Sequence, residues 1–313
     1  MKVNLEFPVS AVLLLATFAS VGICLPSAAQ VRGVYPVGMN ATNSGVMPEA
    51  GFGYSNLFIF FSRDEEKGVH GETVATGQNS IMMDMNTFIW VSKRQISPLG
   101  GAVFGASATL PIANNSLSSD IHGALSGGGG FADSYYQPLI LGWRKQRVDF
   151  KTIYGFLAPT GRFSAGANTN VGSGYWTSVV ASGQTVYLSA NKNTALSVFQ
   201  MYEFHGTQQG TKIQPGETFN LDYSLTRVFS PRSSLRLQLG FIGYGQWQTT
   251  DKHGPTITPA SAAAHYRVNG MGVGANAAFP GRKVSLGLKY FREFACASTF
   301  QGYTVQISGT VTF

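Results

Sequence analysis

Few residues in this chain are of a type and spacing that could do chemistry. Histidine occurs at His70, His122, His205, His253 and His265, and no two stand at metal-ligand spacing. A lipid hydrolase would need a serine and a histidine paired on a barrel's lipid side near the outer rim. His205 suits that height, but no nucleophile pattern accompanies it. Gly270-Met271-Gly272-Val273-Gly274 has the look of a phosphate-cradling loop. The next residues, Ala275 to Pro280, are too few before the proline to form the required helix, so these glycines serve close packing or bending of a strand. Asp64-Glu65-Glu66 could share a divalent ion with lipopolysaccharide, or be a solvated loop. The residues therefore predict no enzyme, no metal and no cofactor.

The polar residues that remain lie inside strongly alternating segments. In 219–226, Phe219, Leu221, Tyr223 and Leu225 oppose Asn220, Asp222, Ser224 and Thr226. In 235–244, Leu235, Leu237, Leu239 and Phe241 oppose Arg236 and Gln238. In 284–293, Val284, Leu286, Leu288 and Tyr290 oppose Ser285, Lys289 and Glu293. A period of two is that of a β-strand with unlike surroundings on its two faces. A Lys or Arg at the lipid midplane costs about 2–4 kcal/mol, so the charged faces turn inward. The candidate lumen-lining residues are Lys151, Asn220, Asp222, Arg236, Gln238, Lys289, Glu293 and Gln306.

Twelve segments read as strands: 53–61, 80–91, 100–110, 136–145, 148–158, 175–190, 194–205, 217–228, 234–247, 264–278, 282–293 and 302–313. Alternation alone leaves 194–205 ambiguous. The connections alternate between long (62–79, 111–135, 159–174, 206–216, 248–263, 294–301) and mostly short. That asymmetry predicts an all-β, transmembrane antiparallel β-barrel of about twelve strands, with long loops outside the cell, short turns in the periplasm and both chain ends on the short-turn side. Tyr54, Trp143, Tyr154, Trp176, Tyr187, Tyr202, Tyr244 and Trp247 lie near strand ends, as interfacial belts require.

The two ends agree with export to an outer membrane. Lys2, the apolar run Val9 to Leu25 and the small residues Ser27-Ala28-Ala29 read as a cleaved signal peptide over 1–29. Cys296 is then the sole cysteine, so no internal disulfide forms. Residues 30–52 are rich in Gly and Pro and lack any period; they are either a disordered arm or a plug inside the lumen. The barrel occupies 53–313. Its last strand alternates Tyr303, Val305, Ile307, Val311 and Phe313 against Thr304, Gln306, Ser308, Thr310 and Thr312. Such an edge is safe only where a closed barrel leaves no edge. Charged residues make up 12% of the chain and glycine 38 of 313, a poor recipe for a soluble helical enzyme. The net charge of +7 is spread singly, with no basic run to suit a nucleic acid.

Several stretches carry a resemblance to a known family. They are Gly33-Val34-Tyr35-Pro36-Val37-Gly38, Gly45-Val46-Met47-Pro48-Glu49-Ala50-Gly51, Tyr154-Gly155-Phe156-Leu157-Ala158-Pro159-Thr160-Gly161 with Gly174-Tyr175-Trp176-Thr177, Gly216-Glu217-Thr218-Phe219-Asn220-Leu221-Asp222-Tyr223, and Val284-Ser285-Leu286-Gly287-Leu288-Lys289-Tyr290-Phe291-Arg292-Glu293. Together they resemble the MetA-pathway of phenol degradation family, the SphA-like outer-membrane transporters. Met47-Pro48-Glu49-Ala50 departs from it, with one proline where the family often has several. The resemblance implies a barrel in the bacterial outer membrane that helps small aromatic or hydrophobic compounds across. It also implies a terminal Phe313 read by the barrel-assembly machinery as a membrane-assembly signal. It supplies no binding residues. Outer-membrane lipid and lipopolysaccharide complete the expected partners. Hydrophobic cargo would need an apolar entry among the loops, where Phe131, Tyr135, Tyr136 and Phe163 are available. The rival readings are a lipid-modifying outer-membrane enzyme and a structural or adhesive barrel without transport.

Overall fold

The computed structural model describes residues 32–119, 123–167 and 169–313. The expected signal peptide, 1–29, lies outside the described residues. Thirteen strands and one short α-helix occur among those described. The strands are β1 (Gly51–Lys67), β2 (Thr73–Ile96), β3 (Ala102–Ser119), β4 (Gly123–Phe131), β5 (Ser134–Arg144), β6 (Val148–Ala158), β7 (Thr177–Tyr187), β8 (Thr194–His205), β9 (Thr218–Arg232), β10 (Leu235–Gln248), β11 (Arg267–Phe279), β12 (Val284–Ala297) and β13 (Thr299–Thr312); the helix is α1 (Pro259–Ala263). All pairings are antiparallel between neighbours. The ring closes where β1 meets β13, from Gly53 opposite Thr312 to Lys67 opposite Thr299. Twelve of the strands form this closed barrel, and β4 stands outside it, paired to the far half of β3. No helix among the described residues is long and apolar enough to cross a membrane. The strands do the crossing: the shortest in the ring has 11 residues, enough for a tilted strand to span a bilayer.

The alternation seen in the sequence sets which face is which. On β9, Thr218, Asn220, Asp222, Ser224 and Thr226 are buried, while Phe219, Leu221 and Leu225 face out. Phe241 on β10 is 72% exposed and Asp222 not at all. Leu225, Leu239, Phe241, Met271, Val273, Leu286, Leu288 and Ile307 make the exterior a continuous apolar belt. Water would penalise that surface; hydrocarbon does not. The chain is thus a membrane barrel of the outer-membrane type.

Three expected loops prove to be mostly strand. β1 and β2 run on to Lys67 and Thr73, β3 and β4 fill much of 111–135, and β12 and β13 are joined at Ser298 alone. The first two stretches are dominated by polar and small residues, and 294–301 is too short to show a period, so hydropathy did not reveal them. Their backbone ladders form regardless, because paired N–H and C=O groups need no apolar face. The connections at the other end stay short, but two lie further along than expected: β2 runs through 92–96 and β9 through 229–232. Lys192 (φ 58°) and Lys283 (φ 51°) take left-handed conformations that tighten two others. Tyr244 departs from its expected place in an interfacial belt: it points inward, 1% exposed, with its ring over Gly270 and against Phe291. It shares the even-numbered face of β10 with Gln238 and Gln246.

Candidate functional site

The eight candidate lining residues all take the inward parity of their strands. Asn220, Asp222, Gln238, Glu293 and Gln306 are buried, and Lys151 and Lys289 are half-buried. Arg236 is exposed and lines a polar mouth beside Asn43, Asn191 and Lys192 at the short-turn end. Phe313 is exposed, and its N–H donates to the Phe52 carbonyl (2.8 Å), tying the last residue to the start of β1.

Residues 32–50 contribute no strand, and their backbone groups bond to inward side chains of the wall. Two carboxylates hold four of the N–H groups, and a third holds the Arg32 side chain. Glu203 on β8 accepts from the N–H groups of Val34 (2.8 Å) and Tyr35 (3.0 Å). Asp222 on β9 accepts from the Tyr35 hydroxyl (2.5 Å) and from the N–H groups of Gly38 (2.9 Å) and Asn40 (3.0 Å). Glu293 on β12 accepts from the Arg32 guanidinium (2.8 Å). A buried carboxylate is tolerable only with such donors around it.

Wall donors complete the set. Lys289 donates to the carbonyls of Gly38 (2.9 Å) and Met39 (2.8 Å), Gln306 to that of Val37 (2.9 Å), and Arg144 to those of Met47 (2.5 Å) and Pro48 (2.9 Å). Asn43 and Gln238 exchange amide bonds, both 3.0 Å. Glycines let the arm lie close: a Cβ on Gly183 would strike the Ser44 carbonyl, and one on Gly142 would strike Met47.

The arm runs the length of the barrel. Its Arg32 bonds to Thr299 (2.9 Å) and to the Phe300 carbonyl, beside the β12–β13 turn at the long-loop end. Its Gly45 N–H donates to Thr185 (3.0 Å), near the short-turn end, where β1 begins. The C-terminus lies at the short-turn end as expected; the first described residues do not. Loop-type composition carried no sign of this direction.

Below the arm a cavity of about 340 Å³ remains. Met39, Met47, Met85, Ile89, Ile140, Ile153 and Tyr135 give it apolar walls, and Gln137, Lys151, Lys289 and Thr310 give it polar points. Of the aromatics expected at a loop entry, Tyr135 instead lines this cavity, buried. Phe131 is exposed at the end of β4.

His205 points into the barrel, not to lipid. Its ring meets Thr177 (2.9 Å), Thr218 (3.3 Å) and Glu203 (3.3 Å), with Tyr175 edge-on. Asp64 faces Arg292 (3.4 Å) and Glu65 pairs with Lys67. No group of potential metal ligands occurs among the described residues.

Glu203, Tyr35, Thr185 and Gln246 were not singled out in the sequence. Glu203 was within reach of it: a carboxylate that must avoid lipid fixes the parity of 194–205, placing Ser197, Phe199 and Met201 inside.

The fold has solved counterparts. A COG4313 outer membrane channel from Pseudomonas putida F1 superposes with a TM-score of 0.68 at 14% identity, over 87% of this chain and 98% of its own. The β domain of the Bordetella autotransporter BrkA gives 0.48 at 12% identity, over 85% and 100%. CymD, a monoaromatic hydrocarbon channel, gives 0.42 at 11% identity, over 85% and 89%. At 14% identity, the likeness to the first is one of fold. No curated protein matches the sequence. Residues 63–308, from the outer half of β1 almost to the end of β13, match the family described as Putative MetA-pathway of phenol degradation. The match takes in well over half of the sequence, and the chain belongs to that family.

Proposed function

We propose that this protein is an outer-membrane channel for small aromatic or hydrophobic compounds, with residues 32–50 as its internal plug. The observation that carries the reading is the partly open cavity of about 340 Å³ between the plug and the wall. A hole of about 150 Å³ already admits benzene, so one aromatic ring with a substituent fits. Apolar walls with a few placed polar groups are the usual lining of a small-molecule site. A second, polar space of about 450 Å³ at the short-turn end offers the way out. Family membership and the fold of a solved outer membrane channel support the same reading.

The outward belt would meet outer-membrane lipid and, at the long-loop end, lipopolysaccharide. The terminal strand, ending in an exposed Phe313, is the segment we assign to recognition by the barrel-assembly machinery.

The test is single-channel conductance in planar bilayers for the full chain and for a chain lacking 32–50, with uptake of a labelled aromatic by cells that do or do not carry the gene. The full chain should give small or intermittent current, the shortened chain a larger steady one, and uptake should follow the gene. No current from either form, with unchanged uptake, overturns the channel.

A further inference from the structure

We infer that the cavity beneath the plug is a binding site for a small aromatic anion, with Lys151 as its anchor; this rests on the channel reading above and names its cargo class. β6 turns Lys151 inward, where it lines the cavity. Its partners on both neighbouring strands are glycines, Gly142 on β5 and Gly183 on β7. At its level, therefore, neither adjacent strand offers a side chain to neutralise it, and the arm covers those glycines with Met47 and the Ser44 carbonyl. A lysine ammonium carries three donors. Among the described residues, that of Lys151 has no hydrogen-bond or ion-pair partner, whereas Lys289, the other lining lysine, is tied to the Gly38 and Met39 carbonyls. The one carboxylate in the lining, Glu49, is exposed. Two lysines against one glutamate leave the cavity net positive by one.

The remaining lining suits an aromatic ring. Ile153 and Ile140 are apolar and buried beside Lys151, and a methionine sulfur such as that of Met47 favours ring edges. Beyond them lies a second polar pole. The Tyr135 ring packs over Gly155, four residues along β6 from Lys151, or about 13 Å between Cα atoms. The Tyr135 hydroxyl accepts from Gln137 Nε2 (2.9 Å), while Gln137 Oε1 is taken by Ser107 (2.7 Å). Its proton has no acceptor among the described residues. A monoaromatic carboxylate fills this interval, with its carboxylate on Lys151, its ring over Ile153 and Ile140, and its far edge toward Tyr135.

The experiment is equilibrium dialysis of the full chain in detergent against labelled benzoate and labelled benzyl alcohol, a neutral analogue, for the wild type, Lys151→Met and Lys151→Arg. Retention of folded mobility on unboiled gels controls for assembly. Lys151→Met should weaken benzoate at least tenfold and leave benzyl alcohol within twofold, and Lys151→Arg should restore benzoate. Equal benzoate binding by wild type and Lys151→Met overturns the anchor. Binding of benzyl alcohol without benzoate by the wild type also overturns it, yet leaves the channel reading standing. Failure of both compounds to bind, with no uptake in cells, sinks the channel reading itself and the anchor with it.

Discussion

Arg32 and Glu293 stand 261 positions apart and form an ion pair of 2.8 Å inside the barrel. Their side chains are 9% and 2% exposed. An isolated charge at such a place would be costly, so each depends on the other. The pair fastens the first described residue of the arm to the upper part of β12.

Replacing one partner should free that end of the arm. Removing one member of a buried pair costs about 3–5 kcal/mol where the other must stay buried. Arg32 can escape the penalty by leaving. Glu293→Gln is expected to make residues 32–37 cleavable by added protease, while unboiled gels still show a folded barrel. Full protection of those residues in the variant would mean the pair does not hold the arm.

Asp222 is the most connected anchor, holding Tyr35, Gly38 and Asn40. Hydrogen bonds to a charged group contribute about 1.5–3 kcal/mol each, so its loss outweighs that of any single bond. Asp222→Ala should raise the open fraction of single channels at least tenfold over the full chain. A conductance trace like that of the parent would remove Asp222 from the plug's attachment.

Gly183→Val tests contact by shape. The added side chain would collide with the Ser44 carbonyl, which is backbone and cannot turn aside. Val is a good strand former, so β7 itself should not suffer. Amide exchange of residues 43–47 should quicken with no loss of barrel stability. Unchanged exchange there would show that the arm does not rest on β7.

Ile307 and Ser308 are neighbours on β13 with opposite surroundings: Ile307 is 51% exposed on the outer face, and Ser308 lines the cavity. Ile307→Lys should cost about 2–4 kcal/mol of stability in lipid, whereas Ser308→Lys should cost clearly less. Denaturant unfolding in vesicles measures both. Equal losses would contradict the assignment of the two faces.

The barrel was largely legible because lipid imposes a strict rule on every second residue. Phe219 to Thr226 declares its two faces outright, and so does the terminal strand. The eight candidate lining residues came from keeping charge and amide out of hydrocarbon. Outside the membrane the rule lapses. β4, with Gly127 to Gly130 in its sequence, has only Ala124, Leu125 and Phe131 as apolar residues, too few to declare a face, and its backbone pairing makes it a strand. The arm was opaque for another reason. Its bonds are made chiefly by main-chain N–H and C=O groups, which every residue carries alike, so the sequence of 32–50 could not say whether it lay inside. Tyr244 misled because an aromatic near a strand end fits a belt and a core equally well until its parity is fixed.

Gly51 begins β1 directly after the arm, so the plug is leashed at the short-turn rim. A leashed stopper cannot be diluted away: its local concentration stays in the millimolar range however few copies the membrane holds. Unseating is then a first-order event whose frequency depends on the strength of its moorings and not on protein abundance. The leash also sets a direction, for a segment hinged at Gly51 can swing clear only through the rim where it is tied.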